Sequence, residues 1–195
     1  MSALPKSAEA EAEMTVDEFF AWAEDSEGRW ELVDGVPVAM SPPSPTHALI
    51  QSELCYLITR ALIENEAPCS VFSGAGVIPR VNADRNLRIP DVSVVCGGYE
   101  TEERALTEPI VVIEILSPGN KRQTWANVWT YTTIPSIKEI VVLQSQSIGA
   151  KLLRRQPDGG WPKEPEAIEA GDLALESIGV RFPLAAAYRT TKLSS

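Results

Sequence analysis

Histidine occurs once in this chain, at His47, and cysteine three times, at Cys55, Cys69 and Cys96. One histidine and widely separated cysteines do not make a zinc site of the usual His/Cys kind. The odd number, wide spacing and apolar settings of the cysteines fit buried reduced thiols better than a disulfide frame, and hence a cytoplasmic protein. No apolar run approaches the ~20 residues that a membrane-spanning helix needs. The opening MSALPKSAEAEAE has neither the basic start nor the apolar stretch of a secretory signal. Positive charge is scarce too: 17 Lys and Arg against 27 Asp and Glu give a net charge of −10. That balance counts against nucleic-acid binding driven by the overall field, although a local basic strip survives it.

What is present suits one α/β (α+β) domain. Apolar residues make up 44% of 195 positions, enough for a real core in a single unit. The small and acidic residues 1–13 read as a tail, 14–190 as the domain and 191–195 as a second tail. Thr15 and Glu18 have the spacing of a capping box and predict a helix through Ala23 that buries Phe19, Phe20 and Trp22. A strand over 29–33 puts Trp30 and Leu32 on one face and Arg29, Glu31 and Val33 on the other. Asp34-Gly35 is a hairpin turn, with the return strand over 36–40. After a proline-stiffened loop, a helix over 46–65 carries Leu49, Ile50, Leu54, Leu57, Ile58, Ala61 and Leu62 at helical spacing.

Further strands are predicted over 69–73, 76–81, 88–95, 110–116 and 139–143. A helix over 124–133 between the last two implies a right-handed crossover and a locally parallel pair. Residues 150–154 and the Asp158-Gly159-Gly160 turn read as a peripheral hairpin, and 173–181 as a final strand pair or a strand and turn.

Two acids stand out. Glu114 is the one charged residue in the otherwise apolar stretch 110–116, where an unpaired buried charge costs several kcal/mol. A salt bridge to Arg80 or Arg88, a wet strand end, or metal ligation would each account for it. Asp91 opens another apolar strand directly after Pro90. A Pro-Asp pair followed 23 residues on by an acid in an apolar strand has the spacing of the PD-(D/E)XK nuclease signature. Pro-Asp is a common dipeptide, so this pattern alone is weakly specific.

Four ordered blocks are far more specific: Trp30-Glu31-Leu32-Val33-Asp34-Gly35, then Met40 to His47 (MSPPSPTH), then Pro90-Asp91-Val92-Ser93, then Ile113-Glu114-Ile115-Leu116-Ser117-Pro118. Together, over about Met14 to Arg155, they resemble the Uma-two family of restriction-endonuclease-like proteins. The resemblance implies a PD-(D/E)XK fold, with a mixed central sheet flanked by helices and an N-terminal helix and β-hairpin. It also implies a metal-dependent DNA endonuclease whose site residues are Glu31, His47, Asp91 and Glu114. Asp91 and Glu114 would ligate Mg²⁺ or Mn²⁺, with Glu31 binding through water or holding a second ion. Magnesium suits such a site because it takes hard oxygen ligands, needs only one or two carboxylates and keeps several waters. His47 would orient water, contact phosphate or act as a general acid or base, against the plain alternative of a helix-start histidine bonded to the Ser/Pro loop.

The chain departs from that pattern in one respect. The lysine expected two residues after the glutamate is Leu116, and the helix lysine of the family falls nearest to Asn127. Lys121 and Arg122 lie just upstream and read as solvated loop cations. The departure implies slow turnover, a substitute cation, or an inactive relative that binds or regulates. A homodimer is expected, so that two sites address two strands; a purely structural homodimer with paired strand edges is the third reading. Trp125 and Trp129, four residues apart, read as a core-facing stripe rather than as base-stacking rings.

Overall fold

The structure, a computed structural model, describes residues 13–194. The tail expected over 1–13 therefore lies outside the described residues except for Glu13, which pairs with Arg85 at 2.6 Å. Helix α1 (Val16–Glu24) begins at the expected capping box, in which Glu18 N donates to Thr15 Oγ1 and Thr15 N to Glu18 Oε2. It buries Val16 and Phe19 against Leu32 and Leu87, with Phe20 and Trp22 only half covered. Strands β1 (Trp30–Val33) and β2 (Val36–Ala39) form the predicted hairpin. Asp34 and Gly35 take positive φ of 48° and 84°, as a tight two-residue turn requires.

Ser44 caps α2 (Pro45–Glu64) by accepting from His47 N, and Pro45 sits where a missing amide costs nothing. The helix buries Ile50, Leu54, Leu57, Ile58 and Leu62, whereas Leu49 is exposed. There follow β3 (Cys69–Ser73), β4 (Val92–Cys96), β5 (Pro109–Leu116), α3 (Lys121–Tyr131), β6 (Glu139–Gln144), β7 (Ala150–Arg154), β8 (Glu166–Ile168), β9 (Asp172–Leu175) and β10 (Val180–Pro183).

Strands β3 to β8 make one six-stranded sheet in sequence order. Only the β5–β6 pair is parallel, joined through α3 as expected, and the sheet is therefore mixed. One face packs on α2, β9 and β10 through Val92, Val94, Ile113, Ile115 and Leu143. The other packs on α3 through Val112, Ile140, Val142, Val128 and Tyr131. Strand β5 is covered on both sides, which explains its nearly continuous apolar sequence. Glu114 points to the α3 side. Among the described residues no helix is long and apolar enough to cross a membrane.

Several expectations are corrected. Cys69 and Cys96 are register partners across β3 and β4 and form a disulfide, leaving Cys55 as the free thiol. Their separation of 27 residues hid the antiparallel return that brings them together, and thiol content no longer argues for a reducing compartment. The strand expected over 76–81 reduces to bridges at Val77, because Pro79 offers no amide and Arg80 N donates to Thr133 Oγ1. The strand expected from 88 starts at Val92, after Pro90 and after Ile89, whose amide is used elsewhere. Helix α3 starts at Lys121, so Lys121 and Arg122 lie on its exposed first turn rather than in a loop. Trp129 is 47% exposed and is not part of a core stripe, while Trp125 packs against the α3-side cluster. Past residue 190, Thr191 is buried and Lys192–Ser194 forms a 3-10 turn.

Candidate active site

Strand β4 begins directly after Asp91 and runs antiparallel to β5, with Val92 opposite Ile113. That register sets the Asp91 carboxylate beside the C-terminal end of β5, where its Oδ2 accepts from Ile115 N at 2.7 Å. The His47 ring reaches its other oxygen, with Nε2 2.8 Å from Oδ1. The other ring nitrogen, Nδ1, meets Ser117 Oγ at 3.2 Å. Gln51, one helical turn after His47, donates to the Asp91 carbonyl at 2.7 Å. Helix α2 thus fixes both the backbone and the side chain of Asp91.

Glu114, one residue before that amide, is 7% exposed. Its Oε1 accepts from Tyr131 Oη at 2.7 Å, and its Oε2 accepts no hydrogen bond among the described residues. Neither Arg80 nor Arg88 forms an ion pair with it, so the salt-bridge account of Glu114 does not hold. Burial pushes the Glu114 carboxyl well above its ordinary 4.5; the nearby Asp91 and Glu31 charges and a hydrogen-bonding contact with the Asp91 carboxyl add to the rise, and the Tyr131 bond opposes it. Burial, with the Glu114 charge next, likewise holds the Tyr131 phenol well above its usual range, so it stays a donor.

Glu31 arrives from the hairpin. Its Oε1 accepts from Ile89 N at 2.9 Å and from Asn127 Nδ2 at 3.2 Å. Burial raises its pKa, against the pull of the Ile89 amide, the Arg88 guanidinium and Asn127. Arg88 is itself buried and donates through Nη1 to the Leu32 carbonyl, bracing the hairpin from beneath. Asn127, where the sequence resemblance leads one to expect a lysine, is thus a hydrogen-bonding anchor for Glu31 and supplies no charge.

Glu31, His47, Asp91 and Glu114 all line one cleft of about 530 Å³, walled by the β1–β2 hairpin, the Ser/Pro loop and the start of α3. Among the described residues no group of three or more His, Cys, Asp or Glu side chains is placed to hold a metal ion. The closer association is a pair, Asp91 with Glu114, while Glu31 stands beside it engaged in other bonds. Glu114 Oε2 and the remaining lone pairs of Asp91, whose two oxygens are already engaged by His47 and Ile115 N, fit Mg²⁺, whose other positions are filled by water or substrate oxygens. They do not fit a closed cage of protein ligands.

Tyr131, Gln51 and Ser117 are the members of the site that the sequence did not disclose. A signal existed for Tyr131. A helix that follows a buried strand folds back on it, so the inward polar residues of α3, Asn127 and Tyr131 at i and i+4, are the natural donors to an acid on that strand.

A mixed sheet between helices, with two acids meeting at the ends of adjacent strands in an open cleft, defines a restriction-endonuclease-like fold. The family model described as "Uma2: Putative restriction endonuclease" matches residues 16–183, and the chain belongs to that family. A crystal structure from Anabaena variabilis, described as "a putative nuclease belonging to DUF820", superposes with a TM-score of 0.72 at 19% identity. The superposition covers 90% of this chain and 98% of that one, a likeness of fold. No curated protein matches the chain.

Proposed function

We propose that this protein is a metal-dependent DNA endonuclease that hydrolyses phosphodiester bonds with Mg²⁺ or Mn²⁺. The observation that carries the reading is the Asp91–Glu114 pair, two acids forced together at the wall of a cleft, one of them nearly buried. Such a pair resists double ionisation until a cation joins it. Asp91 and Glu114 would hold the ion, and Glu31 would stand at its outer side. When bound, the metal would lower the pKa of a water molecule and stabilise charge on the phosphate.

The remaining work falls to the chain itself. Ile115 N and His47 Nε2 fix the Asp91 oxygens, and Tyr131 fixes Glu114, so the pair needs little rearrangement on loading. His47, held between Asp91 and Ser117 at the cleft wall, is placed to orient water or pass a proton. A homodimer would let two such clefts address the two strands of a duplex.

The test is cleavage of supercoiled, linear duplex and single-stranded DNA with Mg²⁺ or Mn²⁺ by wild type, Asp91→Ala and Glu114→Ala. Wild type alone should cut. Equal cutting by all three identifies a contaminant and refutes the reading. One observation favours a second reading, an inactive nuclease-fold protein that binds or regulates: Asn127 stands where the family's lysine is expected and is used up in holding Glu31. That reading predicts no cleavage by any of the three.

A further inference from the structure

Three carboxylates line the cleft, and the cation expected beside them is missing at both Leu116 and Asn127. Among the residues lining the cleft, the only arginine or lysine is Arg29. It lies at the open end of the hairpin, where its carbonyl accepts from Met40 N at 2.8 Å. It precedes Glu31 by two residues, so both side chains leave the ribbon on the same face.

The Arg29 guanidinium has no ion pair or hydrogen bond among the described residues. Six other arginines, Arg60, Arg85, Arg104, Arg154, Arg181 and Arg189, each face a carboxylate. The group is nonetheless seated. A Cβ on Gly74 would fall 2.6 Å from Arg29 Nη2, so the tip of the guanidinium lies against the backbone at Gly74. Gly74 also has φ of 64°, and its amide donates to the Asp91 carbonyl at 3.1 Å. The seat of the guanidinium is therefore tied to the residue that carries one acid of the pair.

We propose that Arg29 is the phosphate-binding cation of this cleft, taking the oxygens of a nucleic-acid phosphate presented to Asp91 and Glu114 and supplying the charge that the absent lysine does not. The proposal rests on the nuclease reading. A guanidinium suits the role because its planar fork meets two phosphate oxygens at once and stays charged at any working pH. Its exposure leaves it available, and its freedom from carboxylate partners means that no ion pair must break when substrate arrives.

The test compares wild type, Arg29→Gln, Arg29→Lys and Gly74→Ala, with Arg60→Gln as a surface control. Binding of a short fluorescein-labelled DNA duplex is measured against salt concentration with Ca²⁺ in place of Mg²⁺, and cleavage is measured with Mg²⁺. Arg29→Gln should reduce the slope of log affinity against log salt by about one, the loss of one phosphate contact. Its cleavage should fall ~10²–10³-fold, as when one stabiliser of transition-state charge is removed. Arg29→Lys should keep the slope, Gly74→Ala should lose cleavage by displacing the guanidinium, and Arg60→Gln should match wild type. A wild-type slope and cleavage rate in Arg29→Gln would overturn the assignment and leave the nuclease reading intact. A wild type that binds but does not cut, with the slope still reduced in Arg29→Gln, would uphold Arg29 as the phosphate contact and overturn hydrolysis. A wild type that neither binds nor cuts DNA would overturn both.

Discussion

Replacing Tyr131 by Phe removes one oxygen from a fully buried ring and leaves the ring's apolar surroundings unchanged. What is lost is the 2.7 Å bond to Glu114 Oε1. A hydrogen bond between neutral groups contributes about 0.5–1.5 kcal/mol net, and one to a charged group about 1.5–3 kcal/mol. Which figure applies depends on the protonation of Glu114, whose folded pKa is raised above the ordinary 4.5. Below 4.5 the carboxyl is neutral in both folded and unfolded chains, and the bond is of the weaker kind. As pH rises through the folded value the carboxylate forms in the folded protein and the bond becomes charge-assisted.

The penalty of Tyr131→Phe should therefore grow with pH, from about 0.5–1.5 to about 1.5–3 kcal/mol. Glu114 itself contributes stability that is fully present below 4.5 and is lost as pH rises through its folded value, and the substitution deepens that loss. The assay is urea unfolding of metal-free protein across pH, with Glu114→Gln and the double variant closing a mutant cycle. A penalty that does not vary with pH, or a coupling energy below ~0.5 kcal/mol, would show that Tyr131 does not hold Glu114.

Glu114→Gln alone keeps the shape and removes the buried charge, so metal-free Glu114→Gln should gain on wild type in thermal midpoint as pH rises; parallel curves would refute this. Asn86→Ala should cost roughly 3 kcal/mol in urea unfolding, because a buried amide that accepts from Asp34 N and donates to Asp34 Oδ1 and the Val81 carbonyl is lost. A cost under ~1 kcal/mol would mean that water replaces it. Reducing Cys69–Cys96, which closes a separation of 27 residues, should lower stability by about 2–4 kcal/mol, seen as a melting shift with dithiothreitol that Cys69→Ser does not show.

Much of the fold was legible because its signals are local. The Thr15–Glu18 box, the Asp34-Gly35 turn and the helical spacing of Ile50, Leu54 and Leu57 each depend on residues within a turn or two of one another. The apolar run of β5 and the return through α3 to β6 followed from strand length and crossover handedness. Where reading failed, the deciding partner was distant. Residues 76–81 have adequate strand composition, but Pro79 and the bond from Arg80 N to Thr133 remove their ladder. Cys69 and Cys96 look unrelated until β3 and β4 are aligned. Within the site, the acids could be named because a charge in an apolar strand needs a reason. Their supports were harder: Tyr131 had a signal in its helical spacing, but Gln51 and the Ile115 amide are ordinary in sequence and gain meaning only from the register of neighbouring strands.

The hairpin that carries Glu31 and Arg29 is not hydrogen-bonded into the six-stranded sheet that positions Asp91 and Glu114. Its attachments include the Leu32–Leu87 backbone pair, the bond from Gly35 N to the Arg85 carbonyl, the Arg88 bond to the Leu32 carbonyl, the Asn86 clasp on Asp34, the bonds of Glu31 to Ile89 and Asn127, and a small apolar cluster with α1. The two sides of the cleft thus belong to separate hydrogen-bonded units, one a six-stranded ladder and the other a two-stranded ribbon. Displacing the ribbon would break these bonds and a satellite core while leaving the sheet's own ladder intact. Under the nuclease reading, the acid pair would be fixed by the sheet while Arg29 and Glu31 ride on the ribbon, so the part that holds the ion and the part that meets the phosphate can vary independently in sequence.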